Sequence, residues 1–100
     1  MRVIALRTLR HFWETQPHGR EAEAALRAWH TEAARADWAN PSDVKAQYRH
    51  ACVLKNGRVV FNIAGNKFRL VVRINYPYRV VYVRFVGTHA QYDAIDADTI

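Results

Sequence analysis

From Ala51 onward the apolar residues of this 100-residue chain change their spacing, and that change limits the possible folds more than any bulk property. Ahead of it they recur every three or four positions. Leu6, Leu9, Phe12 and Trp13 predict a helix over Ala5–Gln16, and Pro17-His18-Gly19 breaks it. Ala22, Leu26, Trp29, Ala33 and Ala36 predict a second helix over Arg20–Trp38 with one buried face. A third, short helix over Asp43–Tyr48 is expected, with Ser42 as its cap. Beyond it the period is two, so alternate side chains point to opposite faces of a sheet. Strands are predicted at Ala51–Leu54, Arg58–Ile63, Lys67–Asn75 and Val80–Val86, with Asn56-Gly57 as a tight hairpin turn. Arg2–Ile4 is a candidate edge strand. Gly87 is expected to end the last long strand, and Thr88 to cap a helix through Ile95. Helices and strands segregate along the chain. The fold class is therefore α+β, one domain over residues 1–100, with helices on one face of a mainly antiparallel sheet.

The alternation also sorts the sheet's two faces. Phe68, Leu70, Val72 and Ile74 share one face, and Lys67, Arg69, Val71 and Arg73 share the other. On the last strand Val81, Val83 and Phe85 are expected inward, with Tyr82 and Arg84 outward. Charge follows the same geography. The chain has 15 Lys+Arg against 9 Asp+Glu, a net charge of +6. Six of the acids lie within Met1–Asp43 and three in the tail, Asp93, Asp96 and Asp98. None lies between Val44 and Tyr92. A sheet with cations and no carboxylates cannot neutralise itself locally, so it favours a polyanionic partner.

Other classes are set aside by composition. No apolar run approaches the ~20 residues of a membrane span. The first residues, MRVIALRTLRHFW, carry charges through their apolar positions and do not read as a signal peptide. Cys52 is the only cysteine, which excludes an internal disulfide and fits a reducing cytoplasm. The five histidines have no metal-ligand spacing, the predicted strands carry no paired carboxylates, and there is no glycine-rich phosphate loop. No metal or cofactor is expected.

Chemistry on RNA without a metal has three requirements. A base removes the proton of a 2′-hydroxyl, fixed cations stabilise the crowded phosphorus, and an acid protonates the leaving 5′-oxygen. Imidazole exchanges protons near neutral pH, so His89 is the candidate acid or base. Tyr92 lies three residues on and shares its face if that segment is helical. Arg69, Arg73 and Arg84 offer forked donors to phosphate oxygens. Tyr76, Tyr78 or Phe61 can stack on bases. Asn62 and Asn66 flank the second turn, where asparagine also serves the turn itself.

These residues stand in strings that resemble a known family. Asp43-Val44-Lys45, Lys55-Asn56-Gly57-Arg58, the run FNIAGNKFRL from Phe61 to Leu70 and the run VRFVGTHAQYD from Val83 to Asp93 resemble the HigB-type toxins of bacterial type II toxin–antitoxin systems. Gln91 departs from the acidic residue common there. The resemblance implies a RelE-like fold and an mRNA interferase that cuts mRNA on the translating ribosome. It also implies a HigA-type helix-turn-helix antitoxin, with DNA met only through that antitoxin. By motif, Asn62, Asn66, Lys67, Arg69, Arg84, His89, Tyr92 and Asp93 would surround the active site. His89, Tyr92, Lys67 and Arg84 are the expected catalytic set, and Arg69, Arg73, Asn62 and Asn66 the expected RNA-binding set. The chain ends soon after the last helix, so few tail contacts are expected. A non-catalytic RNA- or ribosome-binding module, or an interaction protein whose basic sheet meets an acidic partner, would use the same face.

Overall fold

A computed structural model describes all of residues 1–100. In chain order its elements are β1 (Arg2–Ile4), α1 (Leu6–Thr15), α2 (Gly19–Arg35), α3 (Pro41–Gln47), β2 (Cys52–Val53), β3 (Arg58–Ile63), β4 (Phe68–Asn75), β5 (Val80–Thr88) and α4 (His89–Asp93). The five strands form one sheet in the order β1-β5-β4-β3-β2. The pairs are antiparallel except β1 with β5, which runs parallel along Arg2–Ile4 and Val80–Tyr82. This is the α+β architecture expected, with one parallel edge added.

Helices α1 and α2 lay their apolar stripes on one face of the sheet. Leu9, Phe12, Trp13, Ala22, Leu26 and Trp29 are buried there against Val59, Phe61, Ile63, Phe68, Leu70, Val72 and Val81. Phe61 sits at the centre, with its ring edge-on to Trp29 and Tyr48 at 5.4 and 5.1 Å between centroids and stacked on Trp38 at 6.2 Å. It is only 1% exposed, so it is a core residue and not the base-stacking platform that its sequence position allowed. Helix α2 stops at Arg35, short of Trp38, yet Trp38 remains buried and donates its indole N–H to Gln47 Oε1 at 3.1 Å. The cap of α3 is Asn40, not Ser42. Its Oδ1 accepts from the Asp43 amide at 3.1 Å, and Pro41 takes the first helical position, where a missing N–H costs nothing.

The hairpin at Asn56-Gly57 forms as its sequence demands. Both residues have positive φ, 56° and 76°, which matches the twist of the flanking strands. A Cβ at Gly57 would stand 2.7 Å from the Ile74 carbonyl, so the turn also needs glycine for a close approach.

Three expectations for the sheet are corrected. Val72 pairs with Val83, but Val71 pairs with Phe85, so Arg84 is an extra residue in a β-bulge. An extra residue inverts the alternation beyond it. Phe85 therefore leaves the face of Val81 and Val83, and it packs with Val60 and Val71 on the opposite side. Gly87 does not end the strand; it pairs with Arg69 inside it. Nor is the second face open along its whole length. After α4, which closes at Asp93 and not Ile95, the last residues run across the middle of that face. Ile95, Ala97 and Ile100 cover Val60 and Val71, with Leu54, Phe85 and Tyr92 around them. Arg58 Nε ties this strap down by donating to the main-chain oxygen of Ile100 at 2.9 Å. The tail contacts that were not expected follow from an apolar row, Val60–Val71–Phe85, that needs a cover.

Replacing Phe61 by alanine removes the ring shared by three aromatic neighbours. The expected loss is about 3–5 kcal/mol of unfolding free energy, read from the denaturant midpoint with the slope unchanged.

Candidate active site

The strap divides the second face of the sheet into two cationic ends. One end is built by the β3–β4 turn and the start of α4. Asn62 and Arg69 are directly opposed across β3 and β4, and Gly87 lies on the far side of Arg69. Gly87 is buried beneath the Phe85 ring and the Gln91 side chain. A Cβ on it would meet Phe85 Cζ at 2.6 Å and Gln91 Oε1 at 2.7 Å. Arg69 is held back onto the turn. Its Nη2 donates to Asn66 Oδ1 at 2.8 Å, and its Nη1 to the Asn66 carbonyl at 3.2 Å. The asparagine at the turn thus orients the guanidinium, and donors of the fork are left over for a ligand.

Thr88 begins α4 with a full capping box. Its hydroxyl accepts from the Gln91 amide at 3.2 Å, and Gln91 Oε1 accepts from the Thr88 amide at 2.9 Å. Gln91 is therefore the reciprocal cap. The His89 amide donates to the Lys67 carbonyl at 3.3 Å, which locks the start of α4 to the start of β4. One helical turn later Asp93 Oδ2 lies 3.1 Å from His89 Nδ1. A carboxylate on Nδ1 selects the tautomer with its proton there and leaves Nε2 as the working nitrogen. The side chain is half-exposed.

Tyr92 extends from α4 over the sheet. Its ring packs beside Val60 and Val71. Burial pushes its phenol above the ordinary tyrosine range. Cys52 pushes the same way and the Arg69 guanidinium opposes it, while Asp98 and Asp93 add smaller upward effects. At neutral pH Tyr92 is a hydrogen-bond donor and not a base. Lys67 is placed differently from its neighbours. Its ammonium leans towards Glu21 of α2 at 3.8 Å, with both groups well exposed. A pair of that kind contributes little and breaks easily.

Arg73 and Arg84 are not in this group. Arg73 is four positions beyond Arg69 along β4, about 13 Å at strand spacing. They line an open groove of about 970 Å³ at the opposite end of the sheet, with Arg58 and Tyr82. The structure therefore brings together Asn62, Asn66, Arg69, His89, Tyr92 and Asp93, holds Lys67 at their edge, and sets Arg73 and Arg84 apart. Arg58 and Tyr82 join the two arginines there, although nothing in their own sequence spacing marks them for it. The signal for both was register, since each stands opposite Arg73 on a neighbouring strand. Of the other aromatics, Tyr78 is 79% exposed, while the Tyr76 hydroxyl is buried without a partner.

A family model, HigB_toxin, described as the RelE-like toxic component of a toxin–antitoxin system, matches residues 22–95. The chain belongs to the HigB toxin family. It is thus a RelE-like toxin, and such a toxin has an antitoxin as partner. The matched span runs from α2 through α4 and holds every residue of the His89 cluster. No curated protein matches the chain. No helix is long and apolar enough to cross a membrane.

The raised phenol of Tyr92 has a measurable sign. The folded chain holds this proton more tightly than the unfolded one, so stability falls as pH climbs from about 10. Tyr92→Phe should make that alkaline loss shallower, as read from denaturant midpoints between pH 9 and 11. A decline of unchanged steepness would remove Tyr92 from the buried set.

Proposed function

We propose that this toxin is an endoribonuclease that cuts mRNA on the translating ribosome without a metal ion, and that a HigA-type helix-turn-helix antitoxin neutralises it. The observation that carries this reading is the His89–Asp93 pair at the strand end next to Arg69. It combines a half-exposed imidazole anchored through Nδ1 and an oriented guanidinium.

The chemistry follows from those groups. The 2′-hydroxyl of the ribose is the nucleophile, so the substrate is RNA. Arg69, steadied by Asn66, supplies two-pronged donors to the non-bridging phosphate oxygens as charge builds on them. His89 Nε2 exchanges the proton of either the attacking or the departing oxygen, and Asp93 stabilises the imidazolium that forms on protonation. Tyr92, protonated at neutral pH, donates to the phosphate. Lys67 releases Glu21 at small cost and adds a mobile positive charge. Asn62, exposed opposite Arg69, faces the adjoining nucleotide. Arg73 and Arg84 take no part in the cut.

The test is induction of the toxin without its antitoxin and mapping of transcript 5′ ends. New ends within coding regions are expected. A positioned acid or base is worth about 10²–10⁴ in rate, so His89→Ala should abolish the new ends and relieve growth arrest with the fold intact. Arrest without new ends would instead identify a non-catalytic ribosome-binding module. A fully toxic His89→Ala variant would remove His89 from the mechanism.

A further inference from the structure

The second cationic end of the sheet is not used by the proposed cut. Arg58, Arg73 and Tyr82 stand in one row across β3, β4 and β5, and Arg84 projects beside them from the bulge. No acidic residue lines their groove. Arg58 and Arg73 are like charges placed directly opposite each other, an unfavourable pair in a sheet. Arg58 is partly relieved by donating to the main-chain oxygens of Ile100 and Asn56, at 2.9 and 3.4 Å. Arg73 and Arg84 are exposed, and neither forms an ion pair. Two free guanidinium groups and a tyrosine ring 36% exposed therefore converge on an open groove.

We infer that this groove is a second RNA-binding site, which grips backbone phosphates and stacks one base on Tyr82, away from the nucleotide that is cut. The inference rests on the ribonuclease reading above and adds to it the place where uncut RNA is held. Guanidinium forks match phosphate oxygens in pairs, and a half-exposed aromatic ring among them gives a base a flat face. An acidic peptide would use the arginines and leave the ring without a role. The strap lies between the two ends and carries Asp96 and Asp98, so RNA does not run straight across the middle of the sheet. The groove holds a segment that rounds the strap, or a separate strand of the same ribosome.

The probe is a fluorescent 2′-O-methyl RNA, which the toxin can bind and cannot cut. It is titrated at several salt concentrations against the parent protein and the Arg73→Gln/Arg84→Gln variant. Each lost phosphate contact removes about 0.7 from the slope of log affinity against log salt, so the slope should fall by about 1.4. Affinity should fall about tenfold at moderate salt. Tyr82→Leu should also weaken binding about tenfold but leave the slope unchanged, because stacking carries no counterion term. Matching melting temperatures establish that the variants are folded. A benzophenone amino acid in place of Tyr82, irradiated on ribosomes carrying mRNA, distinguishes the sources: an adduct on mRNA or on ribosomal RNA supports the groove and names its ligand. Unchanged affinity and slope, in a protein that still generates new transcript ends, would overturn the groove and leave the ribonuclease reading standing. Retained RNA binding with lost capture of the antitoxin would overturn it in favour of a protein interface. A parent protein that neither binds the probe nor generates ends would overturn both.

Discussion

The arrangement depends on an apolar row, Val60–Val71–Phe85, that crosses the middle of an otherwise cationic sheet face. Left in water, that row would expose contiguous apolar surface beside charged strands. The chain covers it with its own last residues, and the cover has consequences. It fixes where α4 must lie, because Tyr92 inside the helix and Ile95 just beyond its end pack directly onto the row. With α4 fixed, His89 is held against the start of β4 through its amide and against Asp93 through its ring. The position of the imidazole is thus set by hydrophobic burial one helical turn away, with the capping box of Thr88 and Gln91 defining the helix start.

The bulge at Arg84 makes the row possible. Were the strand paired regularly, with Arg84 opposite Val71, alternation would turn Phe85 into the helix-covered core beside Val83, and the row would lose its third member. The same insertion turns Gly87 to the second face opposite Arg69, where a Cβ would run into the Phe85 ring and the Gln91 side chain. One residue of register therefore governs both the hydrophobic centre of the face and the packing beside its guanidinium.

Much of this was legible in the sequence, and the gaps have physical causes. The change from helical to strand period placed the elements, and the Asn56-Gly57 turn fixed one hairpin. The pattern on β4 sorted Leu70 and Val72 from Arg69 and Arg73 correctly, because that strand is regular. Phe85 was assigned to the wrong face because a bulge leaves no periodic trace. The strap was missed because Ile95, Ala97 and Ile100 have neither helical nor strand spacing, and their target, Val60 with Val71, is visible only once β3 and β4 are paired. For the candidate site, the strings from Phe61 to Leu70 and from Val83 to Asp93 hold the residues that gather at the His89 end of the sheet. Closeness in sequence could not show that Arg84 belongs with Arg73, five residues of chain away from His89 and at the other end of the sheet.

The distribution of charge then takes on a simple meaning. Apart from Glu21, which reaches Lys67 at the edge, the acids that approach this face come from the last segment: Asp93 on the imidazole, and Asp98 close enough to act on the Tyr92 phenol. The strands beneath contribute none, and they tolerate Arg58 directly opposite Arg73. Like charges so placed reduce stability, and a single acidic substitution on β3 or β5 would relieve them. Local rules broken without compensation within the fold are expected where a surface serves a ligand. Here the uncompensated charges are two guanidiniums and an ammonium with only a loose partner, and the compensated ones are those the strap or the Asn66 turn holds still. The face is therefore divided into cations that are positioned and cations that are available, a pairing suited to an anion that must be both gripped and aligned.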